Sequence, residues 1–162
     1  MNIKELIEQA HENAVDKGFY DCPECEGVGE RYTDENGDIV RPINAQYKSE
    51  CLTCNETGKN PNKNIGELLM LVVSELGEAL EAHRKNRFTK VKWLEGYEKD
   101  LKTSDFPLVF ERSIKDTFED EIADVFIRLF DLCGYLGIDI EKYIKAKMAY
   151  NKTRPKKHGK EY

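Results

Sequence analysis

The sequence predicts an all-α fold, a helical bundle interrupted by one short insertion of a different kind. Three observations predict it. Apolar residues recur at helical spacing from Asn64 to Arg84 (NIGELLMLVVSELGEALEAHR) and again from Ile114 to Leu136. From Cys22 to Pro61 that period is absent, and Gly, Asn, Asp and Cys accumulate instead. The 162 residues are 40% apolar and 35% charged, an ordinary balance for a soluble protein built from long helices.

In the helix expected at Asn64–Arg84, Leu68, Leu71, Val72, Ala79 and Ala82 share one face at about 100° per residue. Glu75 lies in the middle of that face and Glu78 on its edge, while Glu67, Ser74, Gly77 and Glu81 point outward. A carboxylate in a core stripe is costly unless it is paired or bound to a metal. The second helix repeats the anomaly. Phe118, Ile122, Val125, Leu129, Leu132, Cys133 and Leu136 form a wide apolar face, and Ala123, Ile127 and Phe130 a smaller one opposite. Between them runs a polar stripe of Glu121, Asp124, Arg128 and Asp131, which is expected to face the interior.

Each helix thus offers an acidic pair at i, i+3: Glu75 with Glu78, and Glu121 with Asp124. Such pairs are either surface charges neutralised by Lys or Arg, or ligands of a divalent cation. Their placement against apolar faces favours the cation, and hard oxygen ligands suit Mg²⁺ or Mn²⁺ rather than zinc. On that reading Glu75→Gln leaves metal-free stability unchanged or raised, because it relieves repulsion with the other carboxylates.

The insertion, residues 22–60, carries CPEC (Cys22, Cys25) and CLTC (Cys51, Cys54), with 25 residues between the pairs. Each CxxC turn aims two thiolates at one point, and two such turns complete a tetrahedral Cys₄ zinc site. Nothing in the chain suggests the oxidising compartment that disulfides need, and the βαβ setting of a redox CxxC is missing. A segment of about 40 residues buries too little to fold alone, so a structural zinc is expected to stabilise it. RYTDENGDIV predicts a hairpin around Asn36-Gly37. CPECEGVG and CLTCNETG resemble the CxxCxGxG repeat of DnaJ-type zinc domains. The second has Glu56 where the repeat has Gly, and the resemblance implies only a zinc ribbon. Cys133, on an apolar helix face, is expected in the core.

The remaining elements follow in order. Ile3 to Lys17 predicts a first helix ended by Gly18, with His11 a surface or core residue rather than a ligand. Lys85 to Arg112 has a poor period, includes Trp93, Tyr97, Phe106 and Phe110, and predicts at most a short helix at Val91–Leu101. Its length suits either a lid or a plain crossover. Asp139 caps a last helix, Ile140–Tyr150, and a basic tail carries Lys147, Lys152, Arg154, Lys156, Lys157 and Lys160.

Net charge is −6, concentrated in the central helices, so nucleic acid is not the expected partner. MNIKELIEQAHENAV places Lys and Glu where a signal peptide needs an apolar core, and no run approaches membrane-spanning length. A cytoplasmic location without a membrane partner is expected.

SELGEALEA followed by EDEIADVFIRL resembles the all-α nucleoside triphosphate pyrophosphatases, the MazG-like group with its ExxE…ExxD signature. KMAYNKTRPKKHG resembles the closing helix and tail of that group. The resemblance covers residues 1–21 and 61–162, is strongest at 64–84 and 117–159, and leaves 22–60 as an inserted module in a single domain of residues 1–162. It implies Glu75, Glu78, Glu121 and Asp124 as Mg²⁺ ligands and catalytic residues. It also implies hydrolysis of nucleoside triphosphates between the α- and β-phosphates, to a monophosphate and pyrophosphate. Lys147, Asn151 and Arg154 match the closing motif and are the implied phosphate contacts. Assembly as a homodimer or homotetramer is implied too, for which the patch Ala123, Ile127 and Phe130 would serve. The reading from another class is a non-catalytic zinc-ribbon adaptor on a helical oligomer, binding protein or nucleic acid through the insertion. That reading leaves the carboxylates on core faces without a purpose.

Overall fold

The computed structural model of the chain describes residues 2–90 and 105–155. The helix expected at Val91–Leu101, Trp93 and Tyr97, and the tail cations Lys156, Lys157 and Lys160 lie outside the described residues. The described residues are mostly helical with one two-stranded sheet, and they divide into two compact units. One unit comprises Met1–Ala10 and Gly66–Tyr162, the other His11–Ile65.

In the first unit α2 (Ile65–Arg84) starts one residue after Asn64 and buries Val72, Glu75, Ala79 and Ala82. Leu71, expected on that face, is exposed, as are Leu69, Met70, Val73, Leu76 and Leu80 on the other flanks. α2 is therefore apolar over more of its circumference than it buries. A helix that the sequence pattern did not predict, α3 (Phe106–Ser113), follows the undescribed stretch. Asp105 precedes it and Pro107 stands in its first turn, a starting signal that a search for periodicity overlooks. The rings of Phe106 and Phe110 meet one turn apart, with centroids 5.9 Å apart.

α4 (Phe118–Leu136) starts at Phe118 rather than Ile114, because Thr117 caps it by accepting from the Asp120 N–H. It ends at Gly137, whose φ of 64° is the left-handed cap conformation. Val125, Leu132 and Cys133 are buried, as the apolar pattern predicts. The chain just beyond α2 is tied to the start of α4. The Phe118 N–H donates to the Arg87 carbonyl at 2.9 Å, and the Thr89 N–H to Glu119 Oε2 at 2.8 Å. Thr89 and Thr117 share a hydroxyl–hydroxyl bond of 2.7 Å, and His83, Phe88 and Phe118 pack edge to face or tilted. This joint sets the C-terminal end of α2 beside the N-terminal end of α4. α5 (Ile140–Thr153) begins at its predicted cap, where Asp139 accepts from the Lys142 N–H.

The second unit takes in the second half of α1 (Ile3–Asp16), which Gly18 ends at φ 79°. His11 stacks edge-on against the buried Tyr20. β1 (Glu30–Thr33) pairs antiparallel with β2 (Tyr47–Glu50), so the hairpin closes over a longer connection than the one expected at Asn36-Gly37. The tight turn itself does form. Asp34 Oδ1 accepts from the Asn36 and Asp38 amides, Gly37 adopts φ 84°, and Thr33 bridges Ile39. The turn forms at the residues the sequence predicts, and the main strand partner lies eight residues further on.

The two CxxC segments are near-repeats in conformation as well as in sequence. Glu26 and Asn55 have φ 50° and 49°, Gly27 and Glu56 have 85° and 65°, and Gly29 and Gly58 have 85° and 71°. Their backbones exchange reciprocal bonds, Cys22 N–H to the Gly58 carbonyl at 2.7 Å and Cys51 N–H to the Gly29 carbonyl at 3.0 Å. A Cβ on Gly29 would stand 2.2 Å from the Glu56 carbonyl oxygen, whereas one on Gly37 meets nothing within 4 Å. Gly29→Ala should therefore destabilise the insertion by at least about 2 kcal/mol. Gly37→Ala should cost only about 1 kcal/mol of left-handed strain. Thermal melting of the two variants checks the order.

Candidate metal centres

The four cysteines of the insertion converge. Cys22, Cys25, Cys51 and Cys54 are all buried, and their sulfurs lie within 4.8 Å of one another. Cys22 and Cys51 are 3.8 Å apart and Cys25 and Cys54 3.7 Å, far beyond a disulfide length. With metal–sulfur bonds of about 2.3 Å, the edge of a tetrahedron is about 3.8 Å. The thiols thus fit a tetrahedral metal such as zinc. Burial pushes the Cys25 thiol up to about 11, although the Gly29 N–H, 3.2 Å from its sulfur, opposes this. Burial also raises Cys51, but hydrogen bonds from the Cys54 backbone and from the other thiols outweigh it and bring Cys51 down to about 7. Negative charge is thus easiest to place on Cys51, and a metal would deprotonate the rest. Cys133 stands apart from this group, buried in the first unit with its thiol raised by burial.

A second cluster forms between α2 and α4. One ligand oxygen each from Glu75, Glu121 and Asp124 lies within 4.8 Å of the others. The α2–α4 joint explains the meeting. Glu75 is nine residues from the end of α2, and Asp124 and Arg128 are six and ten from the start of α4, so antiparallel helices bring these to neighbouring levels, with Glu121 nearer the joint. Glu121 is only 5% exposed, and its carboxylate has no hydrogen bond or ion pair with any described residue. Burial, reinforced by Glu78, Asp120, Asp124 and Glu75, raises Glu121 to about 7. Asp124, partly exposed, is raised by burial and by Asp120 and Glu75, with Arg128 opposing. An unpartnered buried carboxylate aimed at two others is what a hard divalent cation would satisfy.

Two features differ from the sequence expectation. Glu78 stands outside the three-oxygen cluster and is exposed, 3.5 Å from Ser74 Oγ, though its charge acts on Glu121. Glu75 has a partner. Arg128 Nε donates to Glu75 Oε1 at 3.0 Å, and Arg128 Nη2 lies 3.0 Å from the same oxygen. The stripe placed Arg128 correctly, but its partner is 53 residues away in sequence, where spacing gives no signal. Glu75 is thus already partly neutralised, and the residue whose charge lacks an offset is Glu121.

The implied phosphate contacts belong to α5 and its end. Lys147 lies over the ring of Tyr150, Asn151 Oδ1 is buried without a hydrogen-bond partner among the described residues, and Arg154 caps the helix. No helix among the described residues is long and apolar enough to cross a membrane. Comparison of the chain with family models, curated proteins and solved structures finds no match.

Metal analysis of purified protein should find about one zinc per chain, bound all-sulfur. Cys51→Ser should lose that zinc and loosen residues 22–60 while the helical far-UV signal of the first unit persists. Zinc-free protein that melts with intact insertion chemical shifts would refute this.

Glu121 sets a pH dependence in metal-free protein. Its carboxyl is raised from 4.5 to about 7, so the folded state favours the protonated form. The stability this contributes is full below about 4.5 and is lost as pH rises to about 7. Metal-free melting points should fall across that window more in the native chain than in Glu121→Gln, which cannot titrate.

Proposed function

We propose that the chain is a Mg²⁺-dependent nucleotide pyrophosphohydrolase. In this reading it cleaves ribo- or deoxyribonucleoside triphosphates between the α- and β-phosphates, on a helical bundle of the all-α NTP pyrophosphatase type. The observation that carries the reading is the convergence of Glu75, Glu121 and Asp124, with Glu121 buried and unpartnered. Glu75, Glu121 and Asp124 hold the divalent cation, Mg²⁺ or Mn²⁺, and Glu78 joins them from the exposed edge of α2. When bound, the cation neutralises the triphosphate and lowers the pKa of a coordinated water.

The chain's own residues divide the remaining work. The buried carboxylates fix the ligand oxygens on two rigid helices, so little reorganisation accompanies reaction. Lys147, Asn151 and Arg154 contact phosphate oxygens. Water adds to the α-phosphorus, the bond to the bridging oxygen breaks, and pyrophosphate leaves. No nucleophilic side chain is required. Zinc on Cys22, Cys25, Cys51 and Cys54 is structural. A homodimer or homotetramer covers exposed apolar residues such as Ile127 and Phe126 on α4. The reading places the protein in the cytoplasm.

A second reading has its own support. The Arg128 pair gives Glu75 a structural role, and the insertion exposes Ile43 (89%) and Leu52 (81%), which a partner protein would cover. In that reading the chain is a zinc-ribbon adaptor without catalysis.

A panel of ribo- and deoxyribonucleoside triphosphates with Mg²⁺ separates the two. Monophosphate and pyrophosphate should appear in equal amounts, whereas orthophosphate with a diphosphate means a different reaction class and no turnover supports the adaptor. Glu75→Gln and Glu121→Gln should each lower activity by at least about a hundredfold. Metal-free stability should rise more in Glu121→Gln than in Glu75→Gln, because Arg128 already offsets Glu75. Glu81→Gln, which disturbs exposed pairs with Lys85 and Arg84, should change neither.

A further inference from the structure

Among the described residues, the cation in contact with the acidic cluster is Arg128, and how it holds Glu75 is informative. Two of its nitrogens converge on Oε1, each 3.0 Å away, while Oε2 bonds to no described residue. The two partners also differ in freedom. The Glu75 side chain is 10% exposed and fixed on the buried face of α2, whereas the Arg128 side chain is 36% exposed. Arg128 follows Asp124 by one helical turn and Glu121 by two on the same stripe of α4, so it lies at the border of the cluster. A divalent cation held by Glu75, Glu121 and Asp124 would share the Glu75 carboxylate with a guanidinium of like charge. The buried glutamate cannot withdraw. The half-exposed arginine can, since water receives its head group at little cost.

We infer that Arg128 is the resident counter-ion of the metal-free centre, and that it gives up Glu75 when a divalent cation binds. The arginine therefore sets the metal affinity of the cluster. It does not orient a ligand. This inference rests on the metal-ligand reading of Glu75, Glu121 and Asp124. It adds a residue outside the ligand set, and it predicts a sign. A positioning role, in which Arg128 holds Glu75 ready for metal, requires affinity to fall when the arginine is lost. A counter-ion role requires it to rise.

The test uses the full chain with its cysteines intact, and Mn²⁺ as probe, with free Mn²⁺ read by electron paramagnetic resonance. Arg128→Gln should bind Mn²⁺ about tenfold more tightly than the native chain, because a like charge beside the site is gone. Arg128→Lys, which keeps the charge, should stay close to native. In the native chain the Arg128 Nε–H resonance should be protected from exchange without metal and lose that protection on saturation with Mg²⁺. Equal or weaker Mn²⁺ binding in Arg128→Gln overturns the inference while leaving the metal reading standing, provided Glu121→Gln still abolishes binding. No Mn²⁺ binding by either protein overturns both. Should Arg128→Gln fail to fold without metal, the native resonance decides: a protected Nε–H at saturating Mg²⁺ overturns the inference.

Discussion

Repulsion among carboxylates held between two helices is the constraint that the first unit must satisfy. Oxygens of Glu75, Glu121 and Asp124 lie within 4.8 Å of one another. At an effective dielectric near 20, two unit charges at that distance repel by about 3.5 kcal/mol. Three such pairs are comparable with the whole stability of a small domain, so the cluster cannot stand fully ionised without compensation. Among the described residues there are two compensations. Arg128 offsets Glu75, and Glu121 binds its proton more tightly, toward a value of about 7. Both are partial. What holds the groups together despite them is the α2–α4 joint, where Thr89, Thr117, Phe118 and Glu119 exchange hydrogen bonds and His83, Phe88 and Phe118 pack.

The insertion meets a related problem with different chemistry. Its four thiols are buried around one point, and left-handed backbone at Gly27, Gly29 and Gly58 lets the two turns approach closely. Soft thiolates select a metal such as zinc, whereas hard carboxylates select Mg²⁺ or Mn²⁺. Donor sets of these two kinds would therefore not compete for the same ion. The second turn carries a local conflict at Glu56, which takes φ 65° where the first turn has Gly27. Glu50 raises the Glu56 carboxyl further by its like charge, so this turn holds both backbone strain and repulsion.

Much of this was legible in the sequence, for reasons that differ by residue. Glu75 stands out because a helical period exposes a charge in an apolar stripe, and Glu121 because its polar stripe runs between two apolar faces; both are buried. The cysteines were legible because CxxC spacing is itself a geometric statement. Asp139 and Gly18 were legible because caps use few residue types. Long-range facts were not. Nothing local tells Glu75 that it will face Arg128, and nothing in RYTDENGDIV tells β1 that its main partner is Tyr47–Glu50. α3 was missed because eight residues carry too little periodicity, although Asp105 and Pro107 marked its start. Leu71, expected on the buried face of α2, is exposed for another reason: hydrophobicity gives the tendency to be covered, but not what does the covering.

The division of the chain fixes what each centre depends on. Glu75, Glu121, Asp124 and Arg128 all belong to the unit of Met1–Ala10 and Gly66–Tyr162, and the four cysteines to His11–Ile65. Among the described residues, the hydrogen bonds and ion pairs around the acidic cluster are made by α2, by α4 and by the segment at Arg87–Thr89. The thiols are brought together by reciprocal backbone bonds of their own two turns. Each cluster is therefore assembled by residues of its own unit, and the loss of an ion from either should be felt first within that unit.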